Sequence, residues 1–138
     1  MQGFFSAKGL AREGGLTFLR LLVGLFLVYH GWELFDAAKI KEYATWDLFH
    51  HCTWAPLLVR SGKGAELAGG LLLAAGLFTR AACLLIVGTM LFITFVIGTG
   101  KIWYEDQYPF LFAVLAMVYF FNGPGRYSLD HHLFEKVQ

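Results

Sequence analysis

Charge is scarce in this chain. Only 15% of its 138 residues are Asp, Glu, Lys or Arg, and their formal net charge is +1. A balance this even excludes the basic footprint of a nucleic-acid binder and argues against a trap for acidic substrates. Cysteine is sparser still. Cys52 and Cys83 stand 31 positions apart with no C-x-x-C, which speaks against a disulfide framework or a thioredoxin-like redox pair. The sequence also contains no nucleophile–base motif, no P-loop, no dinucleotide fingerprint, no internal repeat and no low-complexity segment.

What is abundant is apolar surface: 57% of residues are hydrophobic and 17% aromatic, with the charges gathered in a few clusters. That combination points to an all-α, polytopic membrane protein. Four spans are expected, over residues 16–36, 62–79, 81–98 and 108–122. Each of the clean runs approaches the roughly twenty residues, at about 1.5 Å apiece, that cross a hydrocarbon layer of about 30 Å. The first run is too long for the apolar region of a signal peptide and has no small-residue cleavage site after it, so it reads as a retained helix. Residues 36–54 interrupt the pattern with Lys39, Lys41, Glu42, Asp47, His50 and His51 among apolar Ile40, Tyr43, Trp46, Leu48 and Phe49. They read as short helical pieces lying at the membrane interface. Pro56 suits the start of the approach to the second span, and Pro109 suits the first turn of the fourth. Thr79 and Arg80 leave almost no loop between spans two and three, and the Gly123-Pro124-Gly125 stop ends span four. The expected architecture is one domain, residues 1–138. It is an antiparallel four-helix membrane bundle with a long interfacial loop between helices 1 and 2.

Orientation rests on the basic residues. Lys8, Arg12, Arg20, Arg80, Arg126 and Lys136 fall on the side of the termini, against Lys39, Lys41, Arg60, Lys63 and Lys101 on the other. Their proximity to the spans favours cytoplasmic termini. Trp32, Trp46, Trp54 and Trp103 all fall on the opposite side, as a one-sided aromatic belt.

The stretch around which the chain is organised is ELAGGLLLAAGLFTR, residues 66–80. At 100° per residue, Gly62, Glu66, Gly69, Gly70, Leu73, Leu77 and Arg80 share one helix face. Small residues mark close helix contacts, and a carboxylate inside a membrane is costly unless paired or used. Counting depth along antiparallel spans brings Tyr29, His30, Glu33, Glu66, Thr94 and Glu105 to one level, near the tryptophans. Such a group would exchange protons or hold a quinone carbonyl; the plainer alternative is a structural hydrogen-bond cluster that keeps the helices in register. Arg20 and Arg80 are the charges at the other end. Arg20 lies on the face of Gly24, Leu27 and Gly31, where it either meets Tyr119 or Asn122 or snorkels to headgroups. No metal is expected: His30 and Glu33 have ligand spacing, but di-iron bundles use Glu-x-x-His from two helices with further glutamates. His50, His51 and Cys52 suit a soft metal less well than a solvated interfacial loop. One axial histidine would be available to haem, and nothing favours it.

Three stretches together resemble the DoxX family of small bacterial membrane proteins: RLLVGLFLVYHGWELF, ELAGGLLLAAGLFTRAA and EDQYPFLFAVLAMVYFFNGPGRYSLD. The most specific parts are Glu66, Gly69, Gly70, Gly76, Thr79 and Arg80, and the GPGRYSLD segment of residues 123–130. Arg20, Gly24 and Gly31 are similar to the family's first-helix pattern. Many members carry a lysine after that glycine; this chain has Trp32-Glu33-Leu34, so no role passes over from that lysine. The resemblance implies a multi-pass protein of the bacterial inner membrane, surrounded by lipid. Membrane bundles this small commonly associate, so a membrane-protein partner or further copies of the chain are expected beside it. Some relatives are subunits of thiosulfate:quinone oxidoreductase, and others are linked to membrane redox-stress complexes. The function so implied is a subunit of a quinone-linked redox system, with quinone as its cofactor. The alternative is a non-catalytic scaffold or assembly partner. A carrier role is weakened by the absence of inverted repeats or broken helices.

Overall fold

The computed structural model describes residues 12–49 and 51–135. Among these residues every regular element is helical and there is no strand. The order is α1 (Arg12–Gly31), extended by a 3-10 turn (Trp32–Phe35), then α2 (Ala37–Tyr43), a second 3-10 turn (Asp47–Phe49) and α3 (Ala55–Ala75). After these come α4 (Thr79–Phe92) with a widened π turn (Ile93–Ile97), α5 (Gln107–Asn122) and a last π turn (His131–Glu135). Lys8, His50 and Lys136 lie outside the described residues.

Two helices are long and apolar, Arg12–Phe35 at 24 residues and Thr79–Ile97 at 19, and Gln107–Asn122 is a shorter third. Only 28% of the most apolar stretch of each long helix is buried within the chain, so most of its apolar surface faces outward. Phe18, Phe26, Leu84 and Phe121 are among the exposed large side chains. In water such continuous apolar exteriors would associate. The third long helix, α3, runs for 21 residues but interrupts its apolar run with Arg60, Lys63 and Glu66.

The helices pack mainly as α1 on α3 and α4 on α5, with α3 on α4 joining the two pairs. On α1 the buried positions are Arg20, Val23, Gly24, Leu27 and Gly31, spaced by three and four residues as one helix face. The glycines let the backbones touch. A Cβ on Gly24 would stand 2.8 Å from the Gly70 oxygen, and one on Gly70 would stand 2.8 Å from the Val28 nitrogen. Around this seam Val23, Leu27, Leu73, Cys83, Ile86, Met90, Ala113, Ala116 and Tyr119 form the main core. A smaller core of Ile40, Phe49, Ala55 and Val59 fastens the 37–54 segment to α3, with Cys52 partly buried beside it. Both cysteines are free, each in its own cluster.

The α3 bounds differ from the expected 62–79, at both ends for local reasons. Pro56 sits in the first turn, so the helix already begins at Ala55. Gly76 ends it in the left-handed conformation (φ 66°), with Gly76 N–H bonded to the Leu73 oxygen and Leu77 N–H to the Leu72 oxygen. The connection is therefore residues 76–78, and Thr79 is the buried first residue of α4 rather than a loop residue. The shared face stops at Leu73: Leu77 lies beyond the helix, and Arg80 is exposed on α4. The link from α4 to α5 wraps one carboxylate. Asp106 Oδ2 accepts from Thr99 N at 2.8 Å, Thr99 Oγ1 at 3.0 Å and Lys101 N at 3.1 Å. Burial works to raise this carboxyl, yet the bonds from Thr99, Lys101 and Gly100 outweigh it and hold it below the ordinary aspartate value.

Candidate functional site

A cavity of about 700 Å³ lies between α3, α4 and the start of α5, with the 43–49 segment and His30 completing its wall. Its lining is mostly apolar: Leu27, Phe49, Leu58, Val59, Met90, Ile93 and Phe112 contribute. Gly62 and Gly88 also line it, and a Cβ on either would meet nothing within 4 Å. The space exists partly because those two positions carry no side chain. Leu84, Leu85, Phe92 and Tyr108 line the cavity and are exposed as well, so its mouth opens on the outer, apolar face of the helices.

The polar end is built from three elements. Glu66 on α3 is 4% exposed, and its Oε2 pairs with Lys63 Nζ at 3.1 Å, one helical turn earlier. The same ammonium reaches Glu33 Oε2 at 2.9 Å, in the 3-10 turn after α1. Tyr43 at the end of α2 donates its hydroxyl to that Glu33 oxygen at 2.9 Å, and its ring lies 5.2 Å from Lys63 Nζ. Burial first, then the hydrogen bond to Glu33 and the charges of Glu33, Glu42 and Glu66, push the Tyr43 phenol up, so it remains a donor. One lysine thus bridges two carboxylates, and three connected segments are held by it.

Of the residues that depth counting placed at one level, Glu33 and Glu66 meet through Lys63, and His30 and Glu66 both line the cavity. The direct partner of Glu66 lies on its own helix, and Lys63 makes the link across to Glu33. Tyr29 stands apart, 75% exposed, with its ring edge-on to His30 at 5.7 Å. Thr94 is fully buried, but its hydroxyl donates to the Met90 oxygen of the preceding turn at 2.8 Å. Glu105 is exposed in the α4–α5 link, bonded by Thr99 Oγ1 at 3.2 Å and 3.8 Å from Lys101 Nζ. Lys63 and Tyr43 escaped the sequence reading. The i, i+3 spacing of Lys63 and Glu66 was the available signal for the first.

Arg20 forms a second polar centre at the other end of α1. It is 2% exposed and donates to the backbone oxygens of Pro124 and of Tyr127, the latter at 2.7 Å. Its hydrogen bonds therefore hold the segment after α5 rather than Asn122 or the headgroups, and Tyr119 stands near enough to interact with its charge. Tyr119 instead donates to the Leu16 oxygen at 3.0 Å, and Asn122 accepts from Arg12 at 3.2 Å. The segment held by Arg20 continues to Asp130, whose carboxylate accepts from Phe78 N at 2.7 Å and Thr79 N at 2.8 Å. That carboxylate caps the N-terminus of α4. Arg80 is exposed beside it.

Residues 15–99 match the sequence profile of the DoxX family. The chain belongs to the DoxX family. The match spans α1 to the π turn after α4, so in this DoxX protein it takes in Glu33, Tyr43, Lys63 and Glu66. It stops short of α5 and of residues 123–130. An uncharacterized protein of Haemophilus influenzae is 27% identical over 140 residues, covering 88% of this chain and 92% of the relative. No solved structure matches. With its family and its outward-facing apolar helices, this DoxX chain is a membrane protein.

Proposed function

We propose that this DoxX protein binds a lipophilic, ring-bearing molecule of the quinone class in the cavity between α3 and α4, as a subunit of a membrane redox system. The observation that carries this reading is the cavity itself. An apolar chamber of about 700 Å³ opens on the lipid-facing surface and ends at a buried carboxylate. That is the shape and polarity of a site for a molecule that arrives through the bilayer with a polar head and an apolar body. The sequence carries no dinucleotide fingerprint and no C-x-x-C pair, and in this reading electrons pass between the bound molecule and a partner subunit. A non-catalytic scaffold is the alternative; Gly24, Gly31 and Gly70 are spent on the contact between α1 and α3, while Gly62, Gly64 and Gly88 stay open.

The test is to titrate purified protein in nanodiscs with a short-tailed benzoquinone and its quinol. Saturable binding is expected for the native chain. Gly88→Leu, which fills open space, should abolish it while leaving the thermal midpoint unchanged or higher. Absence of binding by the native chain, or undiminished binding by Gly88→Leu, would overturn the reading.

The same proposal includes a single domain that crosses the bacterial inner membrane four times, in an antiparallel bundle with cytoplasmic termini. Its weakest member is α3, with three charges along its length. In a background with Cys52→Ser and Cys83→Ser, single cysteines introduced at exposed Glu42 and Arg80 bracket that helix. In intact spheroplasts an impermeant maleimide should label Glu42→Cys and spare Arg80→Cys until the membrane is opened. Equal labelling of both would mean that α3 does not cross.

A further inference from the structure

The polar lining of the cavity holds several committed donors and one buried carboxylate with acceptor capacity to spare. Ser61 donates its hydroxyl to the Leu57 oxygen at 2.9 Å, and Thr89 donates to the Leu85 oxygen at 2.9 Å. The Tyr43 hydroxyl is committed to Glu33, and the Lys63 ammonium is shared between Glu33 and Glu66. These four donors are spent within the chain, while His30, Trp46 and Tyr108 also line the cavity and keep donor capacity. The acceptor side is different. Among the described residues Glu66 is engaged through Oε2 alone, by Lys63, and an ionised carboxylate has about four acceptor positions. The charges point the same way: two carboxylates, Glu33 and Glu66, face one ammonium. Helix α1 adds His30, and α2 and the 43–49 segment add no further cation to the lining.

We infer that the occupant of this cavity presents a hydrogen-bond donor to Glu66, a hydroxyl on an aromatic ring, so that the site selects the quinol form over the quinone. This rests on the cavity reading above and goes further: either redox form can accept a hydrogen bond from His30, Trp46 or Tyr108, but only the quinol has a hydroxyl to donate to Glu66. A hydroxyl bonded to a buried carboxylate is a charge-assisted bond, shorter and about twice as strong as a neutral one. A quinone in the same place would leave the carboxylate's free acceptor desolvated and unmatched. The network also sets the depth of the head. Lys63 holds Glu66 in place from one side, so the hydroxyl has to approach from the cavity side.

Three ligands sharing one ring and one short tail test the inference by calorimetry in nanodiscs: the quinol under anaerobic reducing conditions, the quinone, and the dimethyl ether of the quinol. The quinol is expected to bind at least tenfold more tightly than either of the others. Glu66→Gln, which stays folded because it keeps hydrogen-bonding capacity, should reduce that preference below threefold. A tenfold preference for the reduced form also raises the midpoint potential of the bound two-electron couple by about 30 mV, readable by redox titration. If the quinone or the ether binds as tightly as the quinol, or if Glu66→Gln retains the full preference, the donor inference is wrong while the cavity reading stands. If none of the three binds, the cavity reading itself falls.

Discussion

Gly31→Ala is expected to unseat α1 from α3 and to be among the most damaging single substitutions in the chain. A Cβ at Gly31 would stand 2.6 Å from Leu67 Cα and 2.7 Å from Leu67 Cβ, and the atoms that would have to yield include α3 backbone. A flexible side chain can turn away from an added methyl, whereas a helix backbone moves only as a whole. Overpacking of this kind costs about 1–3 kcal/mol, and the upper end applies where backbone opposes backbone. The shift would reach the cavity too, because Glu33 follows Gly31 by two residues and is tied through Lys63 to Glu66. Gly14→Ala is the control: it lies in the same helix with nothing within 4 Å of its Cβ. Unfolding in mild detergent, followed by circular dichroism, should show Gly31→Ala losing several degrees of thermal midpoint and Gly14→Ala losing none. A Gly31→Ala protein as stable as the parent would mean that the α1–α3 seam is not as close as described.

Arg20→Met should release the segment after α5. The guanidinium makes two bonds to backbone oxygens, and hydrogen bonds to a charged group contribute about 1.5–3 kcal/mol each. Methionine fills similar volume and supplies neither, leaving the Pro124 and Tyr127 oxygens without their donor. The loss is expected to be about 3 kcal/mol or more, with faster proteolysis within residues 123–130. Arg20→Lys should rescue little, because one ammonium on a flexible stem does not reproduce a planar fork reaching two carbonyls. Asp130→Asn weakens the cap on α4 from the far end of the same segment. The two substitutions should therefore be less than additive when combined, since either one loosens what the other depends on. Unchanged proteolysis and midpoint in Arg20→Met would remove the clasp from the account.

The long apolar runs made most of the helices legible, and their bounds were read within a few residues wherever a polar residue stopped the run. The start and end of α3 were harder. Its apolar stretch continues through Leu77 and Phe78 beyond the helix, so hydropathy gave no stop, and the signal was Gly76 alone. Asp106 shows a different difficulty. Depth counting selected Glu105, but the link turns its neighbour Asp106 inward and leaves Glu105 exposed, and a shift of one residue in a turn is invisible to periodicity. Lys63 was counted as a charge near the membrane surface, because its sign suits an orientation argument; its pairing emerged only with the helix geometry. The partners of Arg20 are main-chain oxygens, which every residue carries, so no side-chain pattern announces them.

The bonds of Arg20 have a consequence for biosynthesis. Its nearest acceptor along the sequence lies 104 residues downstream, at Pro124. At about 5–20 residues per second, a ribosome takes on the order of 5–20 s to deliver that carbonyl after Arg20 has been made. Throughout that interval α1 carries a guanidinium whose final ligands do not yet exist, and water or lipid phosphate has to stand in for them. The first helix can therefore enter the membrane early but cannot reach its final seat until α5 has followed it. Maturation of this chain waits on its downstream end.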